Sequence, residues 1–155
     1  MTNILSLIAG WALDRLFGDP QRLVDTANKT FRLDDIRALL RERGIAIYDT
    51  ARAVRRLNGN ASDKDLEIVE KTDIQALLAQ LPRCHDIVCT GQKSFSALTE
   101  SYGVDIPKMG ECNRFALVDR EMRLWRMPST SRAYPMPLPE KAGYYRDMML
   151  AIGLL

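Results

Sequence analysis

The chain is poor in the residues that build metal sites and disulfide scaffolds. It has three cysteines, Cys84, Cys89 and Cys112, and a single histidine, His85. The cysteines are odd in number and lack metal-ligand spacing, which argues against a structural zinc site and for reduced thiols in a cytoplasmic protein. An excess of one charge is missing too: 22 Lys and Arg face 20 Asp and Glu, a net charge of +2. A face for a polyanion must therefore come from local clustering. No apolar run is long enough to cross a bilayer. The N-terminal stretch 1–17 carries Ile4, Leu5, Leu7, Ile8, Trp11, Leu13, Leu16 and Phe17, but Asp14 and Arg15 interrupt it and no basic segment precedes it. Neither a signal peptide nor a membrane partner is expected. Its spacings of three and four predict an amphipathic helix. The phosphate loop GxxxxGK[ST] is absent, which argues against a nucleoside-triphosphate enzyme. Neither a metal nor a cofactor is expected.

The 155 residues are 46% hydrophobic and 27% charged, an ordinary mixture for one globular domain spanning 1–155. After the breaker Gly18-Asp19-Pro20, residues 20–32 read as a connecting loop. A helix is predicted from Leu33, with Ile36, Leu39 and Leu40 on one face, ending at Gly44. Ile45–Tyr48 reads as a short buried strand ending at Asp49-Thr50, and residues 51–65 as mixed. A helix is predicted over Asp73–Leu81, a buried strand over Asp86–Thr90, and a helix over Ser94–Tyr102. Strands are predicted over Phe115–Val118 and Met122–Trp125, and a last helix over Lys141–Leu155. Apolar strands separated by helices predict an α/β fold with a mostly parallel sheet, whose ligands gather at the carboxyl ends of the strands.

Three of those ends are chemically rich: Tyr48-Asp49-Thr50, Thr90-Gly91-Gln92-Lys93 and Met127–Arg132. Asp49 suits activation of water, contact with a polar base edge, or capping of a following helix. Lys93 reads either as a phosphate contact or as a solvated residue of a turn. Ser129 and Ser131 would need a base to act as nucleophiles, and His85 lies at the start of its strand instead of the end. Hydroxyls on phosphate oxygens fit better. Arg52, Arg55, Arg56, Arg126 and Arg132 read either as a basic face beside those hydroxyls or as scattered solvated charges. Cys89 reads as a small core residue, and Trp125, Tyr134, Tyr144 and Tyr145 as packing or base-stacking rings.

In order along the chain, Gly44–Thr50, Asn60–Leu66, Ile87–Lys93, Met127–Arg132 and Tyr144-Tyr145-Arg146 resemble the uracil-DNA glycosylase superfamily, in its mismatch (thymine-DNA glycosylase-like) and hypoxanthine branches. The Met127-Pro128-Ser129-Thr130-Ser131-Arg132 run is similar to the DNA-insertion loop. The resemblance implies a three-layer α/β/α sandwich with a short, mostly parallel central sheet. It implies a DNA glycosylase, a hydrolase of N-glycosyl bonds that acts in base-excision repair. Its partner would be double-stranded DNA holding a damaged or mismatched base (uracil, hypoxanthine or mismatched thymine), flipped from the stack. Asp49 would be catalytic, and Tyr48, Thr50 and Ser62 would line the base pocket. Met127, Pro128, Ser129, Thr130, Ser131, Arg132 and Lys93 would meet DNA, with Arg132 the first candidate for the wedge and Met127 the second. The chain departs from the family at the first motif, a Gly- and Pro-rich strand end: no Gly-x-x-Pro-Gly occurs. That strand lies inside the family's sheet, so its loss is expected to leave unpaired edges. A catalytically inactive remnant that binds DNA or protein is the alternative.

Overall fold

A computed structural model describes residues 3–5, 22–49, 51–56, 66–90, 92–117, 119–130 and 134–155. In chain order the elements are β1 (Asn3–Leu5), β2 (Val24–Asp25), β3 (Thr30–Phe31), α1 (Leu33–Arg43), β4 (Ile45–Ala46), β5 (Ala51–Arg56), β6 (Leu66–Lys71), α2 (Ile74–Ala79), β7 (Asp86–Thr90), α3 (Gln92–Tyr102), β8 (Cys112–Ala116), β9 (Glu121–Met127) and α4 (Leu138–Ala151). Helices and strands are mixed, as the apolar pattern predicts. A five-stranded sheet has the order β4-β1-β7-β9-β8. Strands β4, β1, β7 and β9 run parallel, and β8 lies antiparallel on the edge beside β9.

One expectation changes at the N-terminus. Asn3–Leu5 is a strand, where the apolar spacing predicts a helix over 1–17; residues 6–21 lie outside the described residues. That strand lies inside the sheet, between β4 and β7. Asn3 pairs with both Ile45 and Asp86, and Ile4 with both Ala46 and Ile87. Three residues suffice because a central strand bonds on both sides.

The local signals explain most element ends. Gly44 adopts φ +64°, the left-handed conformation that closes α1, and its N–H bonds back to the Arg41 carbonyl at 3.2 Å. Asp73 caps α2, its carboxylate accepting the Ala76 N–H at 2.9 Å. The Arg120 guanidinium satisfies the far end of α2, donating to the Leu78 and Leu81 carbonyls at 2.6 and 2.7 Å. Residues 51–56, read from sequence as mixed, form a hairpin with β6. Likewise the expected loop 20–32 contains the small pair β2–β3.

Alternation along the strands divides the core. Ile87 and Cys89 of β7 join Met122 and Leu124 of β9, with Leu78 of α2 and Phe95 and Leu98 of α3. Val88, Trp125 and Met127 join Leu39 of α1 and Tyr145, Met148 and Met149 of α4. Gly110 shows how closely α4 approaches this sheet. A Cβ there would sit 2.7 Å from the Tyr144 ring, and its φ of +82° suits glycine alone.

One polar group lies inside this apolar frame. Asp86, at the start of β7, is 0% exposed. Arg123 grips it with two bonds, Nε to Oδ1 at 2.6 Å and Nη2 to Oδ2 at 2.8 Å. The Trp125 indole N–H donates to Oδ1 at 2.9 Å. The bidentate fork answers the carboxylate's desolvation and pushes the Arg123 guanidinium above its ordinary value. Removing one partner of such a pair strands the other. Asp86→Ala is therefore expected to destabilise the fold by about 3 kcal/mol, read as a lower urea midpoint with unchanged slope.

Candidate functional site

Because four strands run parallel, their carboxyl ends share one edge of the sheet. The strand order reverses at β1: α1 leads outward to β4, and α2 leads back to β7 on the other side. A crevice at such a reversal is the usual ligand position in open α/β sheets. Three described strand ends lie along that side: Ile47-Tyr48-Asp49 after β4, Thr90 closing β7, and Pro128-Ser129-Thr130 after β9, with β1 and β7 between the first and the last.

Each candidate residue has a definite position. Tyr48 is 46% exposed and Asp49 is exposed. The Thr72 hydroxyl donates to the Asp49 carbonyl at 2.7 Å, tying the strand end to the base of the β5–β6 hairpin. The next element after Asp49 is strand β5, so the helix-capping alternative falls away. Among the described residues, no hydrogen bond or ion pair occupies the Asp49 carboxylate. The Ser94 hydroxyl donates to the Thr90 carbonyl at 2.9 Å, fastening the first turn of α3 to the end of β7. Lys93 lies in that first turn. Thr50, Ser62, Ser131 and Arg132 lie outside the described residues, as does Gly91.

The insertion-like run divides into core and surface. Met127 is 1% exposed and packs among Tyr145, Met148 and Val88, and Pro128 is buried beside it. Neither side chain reaches outward, so the expectations of Met127 as a wedge and Pro128 as a DNA contact give way to packing. Alternation along β9 sends 125 and 127 inward on one face, and the chain turns outward only after Pro128. Ser129 and Thr130 are half-buried at the surface of that turn.

The expected basic face does not assemble from its described members. Arg52 pairs with Glu70 at 3.3 Å and Arg55 with Glu67 at 3.4 Å, across the hairpin. Arg126 donates to the Pro107 carbonyl at 3.3 Å and lies over the Phe95 ring. Trp125 and Tyr145 serve packing and hydrogen bonding, not stacking on a ligand. His85 immediately precedes β7, at the opposite end of the strand, with Nδ1 3.3 Å from the Glu121 carbonyl. A groove of about 540 Å³ also lies away from the strand ends, against the start of β4, lined by Leu40, Arg41, Arg43, Ile45, Arg83 and Leu154. There Arg43 donates to the Leu154 carbonyl at 3.1 Å.

Sequence reading missed two residues that hold this edge together. Thr72 stands in an unremarkable polar stretch, and only the hairpin brings it to Asp49. Lys141 is 7% exposed, with Nζ 5.2 Å from the Tyr134 ring centroid. Its place in the first turns of α4 carried no sequence signal beyond a helix of mixed polarity. No family model, curated protein or solved structure matches the chain. Among the described residues, no helix is long and apolar enough to cross a membrane.

The thiols are not part of the edge chemistry. Burial pushes Cys89 up to about 12 and Cys84 up to about 11. A disulfide reagent at pH 8 is expected to label half-buried Cys112 first, and Cys84 and Cys89 only on unfolding. The raised thiols also set an alkaline limit. Their contribution is complete below the unfolded value of 9.0 and is lost as pH rises towards 11 and 12. The urea midpoint is expected to fall across that window, and to fall less in Cys89→Ala.

Proposed function

We propose that the chain is a uracil-DNA-glycosylase-like protein. It extrudes a uracil, hypoxanthine or mismatched thymine from duplex DNA and hydrolyses its N-glycosidic bond. We further propose that the two helix groups and the sheet between them form the three-layer α/β/α sandwich of that superfamily. The division of the core supports this: α1 and α4 pack with one set of strand residues, α2 and α3 with the other.

The observation that supports the reading is that Tyr48-Asp49 after β4 and Ser129-Thr130 after β9 lie on the same carboxyl side of the sheet, with β1 and β7 between them. The two chemistries required are different and would act from the same side of the sheet. Ser129 and Thr130 offer hydroxyls and backbone N–H groups to phosphate oxygens. Asp49 offers an exposed carboxylate that accepts hydrogen bonds from a water and opposes positive charge developing on the sugar. In the reaction the water oxygen bonds to the anomeric carbon as the carbon–nitrogen bond breaks. The base leaves with the bonding pair and takes up a proton, and the proton released by the water passes to Asp49 or to solvent. Tyr48 supplies an aromatic face beside the extruded base.

Duplexes carrying uracil, hypoxanthine or a mismatched thymine, followed by alkaline strand cleavage, test the reading directly. The protein is expected to cleave at least one of them. Asp49→Asn is expected to lower excision by about 100-fold or more while duplex affinity holds. Arg132→Ala is expected to weaken duplex binding and flatten its salt dependence. Duplex binding without excision of any base would assign the chain to the inactive remnant. Absence of both binding and excision would overturn the reading.

A further inference from the structure

We infer that the groove at the start of β4 binds a small phosphate monoester with an apolar or aromatic body. The inference stands apart from the glycosylase-like reading, because this groove lies against the beginning of the strand and not at the ends that carry Asp49, Ser129 and Thr130. Its volume of about 540 Å³ is that of a small-molecule site. Three arginines from two separate parts of the chain line it: Arg41 and Arg43 from the last turn of α1, and Arg83 from the connection between α2 and β7. The wall also carries Glu42, which pairs with Arg22 at 3.5 Å. The described lining thus holds an excess of positive charge, in a chain whose net charge is only +2. Local clustering of this kind gives a near-neutral protein a site for an anion.

The three arginines have different parts. Arg43 builds the groove: it donates to the Leu154 carbonyl at 3.1 Å and so ties the end of α1 to the chain after α4. Leu154 is held from its own side as well, since Gly153 turns at φ +73° and the Leu154 N–H donates to the Met149 carbonyl at 2.8 Å. Arg83 follows Pro82 in a tight turn, closed by the N–H of fully buried Cys84 on the Leu81 carbonyl at 3.0 Å. The backbone that carries these residues is therefore fixed without a ligand, which lowers the entropy lost on binding. Arg41 and Arg83 are exposed, and among the described residues neither guanidinium makes a hydrogen bond or ion pair. A cation in the last turn of a helix complements the macrodipole, which accounts for Arg41, but Arg83 stands on no helix.

The chemistry of the lining selects the ligand. A phosphate monoester carries nearly two negative charges above about pH 6 and three terminal oxygens, so it can accept from two guanidiniums. A single carboxylate matches one fork. Leu40, Ile45 and Leu154 add apolar surface, which suits the organic part of an ester and not a bare ion.

Titration of the full chain with phenyl phosphate, inorganic phosphate and benzoate, followed by amide NMR shifts, tests the inference. Saturable shifts confined to 40–45, 81–84 and 153–155 are expected with phenyl phosphate. Inorganic phosphate lacks the body and benzoate the second charge, and each is expected to bind roughly tenfold more weakly. Arg41→Gln and Arg83→Gln change exposed positions, so the fold is retained, and each is expected to weaken phenyl phosphate roughly tenfold. Arg37→Gln, on α1 but outside the described lining, controls for net charge and is expected to change nothing. No saturable shift at millimolar phenyl phosphate overturns the site, as does an equal loss in Arg37→Gln. Benzoate binding as tightly as phenyl phosphate overturns the phosphate assignment, and inorganic phosphate doing so overturns the part given to the apolar lining. A matching loss of duplex DNA binding in Arg83→Gln makes the groove part of a nucleic-acid surface and overturns it as a small-molecule site.

Discussion

The buried carboxylate of Asp86 is the constraint around which the sheet is organised. An ionised group without solvent must be paired and hydrogen-bonded, and Arg123 and Trp125 do both. The three residues come from the neighbouring parallel strands β7 and β9, whose register sets Asp86 against Arg123 and Val88 against Trp125. A slip by one residue would turn Arg123 to the other face of the sheet and leave the carboxylate unanswered. The same register carries through to the opposite end of the pair, where Thr90 lies against Met127. The positions of Pro128, Ser129 and Thr130 thus depend on a salt bridge at the far end of their strand.

The strand-end edge shows a division of labour between holding and presenting. Met127, Pro128 and Tyr145 are buried and hold; Ser129 and Thr130 are half-buried, and Tyr48 and Asp49 are exposed. Charge follows a similar economy. Arg52, Arg55 and Lys71 each meet a glutamate, and Arg120 and Arg126 bond backbone carbonyls. Cations used in this way stabilise turns and hairpins but offer little to a distant polyanion. Lys141 differs from those surface cations: it is 7% exposed and lies over the Tyr134 ring.

Legibility in the sequence followed the range of the interactions involved. Helix α1 and its Gly44 stop, strand β7, and the approximate course of α2, α3 and α4 were readable, because periodicity and capping act within one or two turns. The same holds for Cys89 as a core residue and for His85 at the wrong end of its strand. The hairpin β5–β6 was not readable. Its strands alternate charged residues on both faces, and glutamate–arginine pairing across them supplies what apolar alternation would normally signal. Strand β1 was misread as helix because three residues give no period, and its two neighbours arrive from residues 45–46 and 86–88.

By itself, the sequence determined the class of the fold, the richness of the strand ends in hydroxyl and carboxylate groups, and the run Met127–Arg132 as a candidate loop. Those properties are local: each depends on residues adjacent in the chain. Only the tertiary structure decided that Met127 and Pro128 of that run are buried, that Asp49 precedes a strand and not a helix, and that Arg52, Arg55 and Arg126 are already engaged. It also brought the Tyr145 hydroxyl to the Pro128 carbonyl and the Lys141 ammonium over the Tyr134 ring. The physical reason is the same throughout: burial and ion pairing are set by partners tens of residues away, and a one-residue change in strand register exchanges an inward side chain for an outward one.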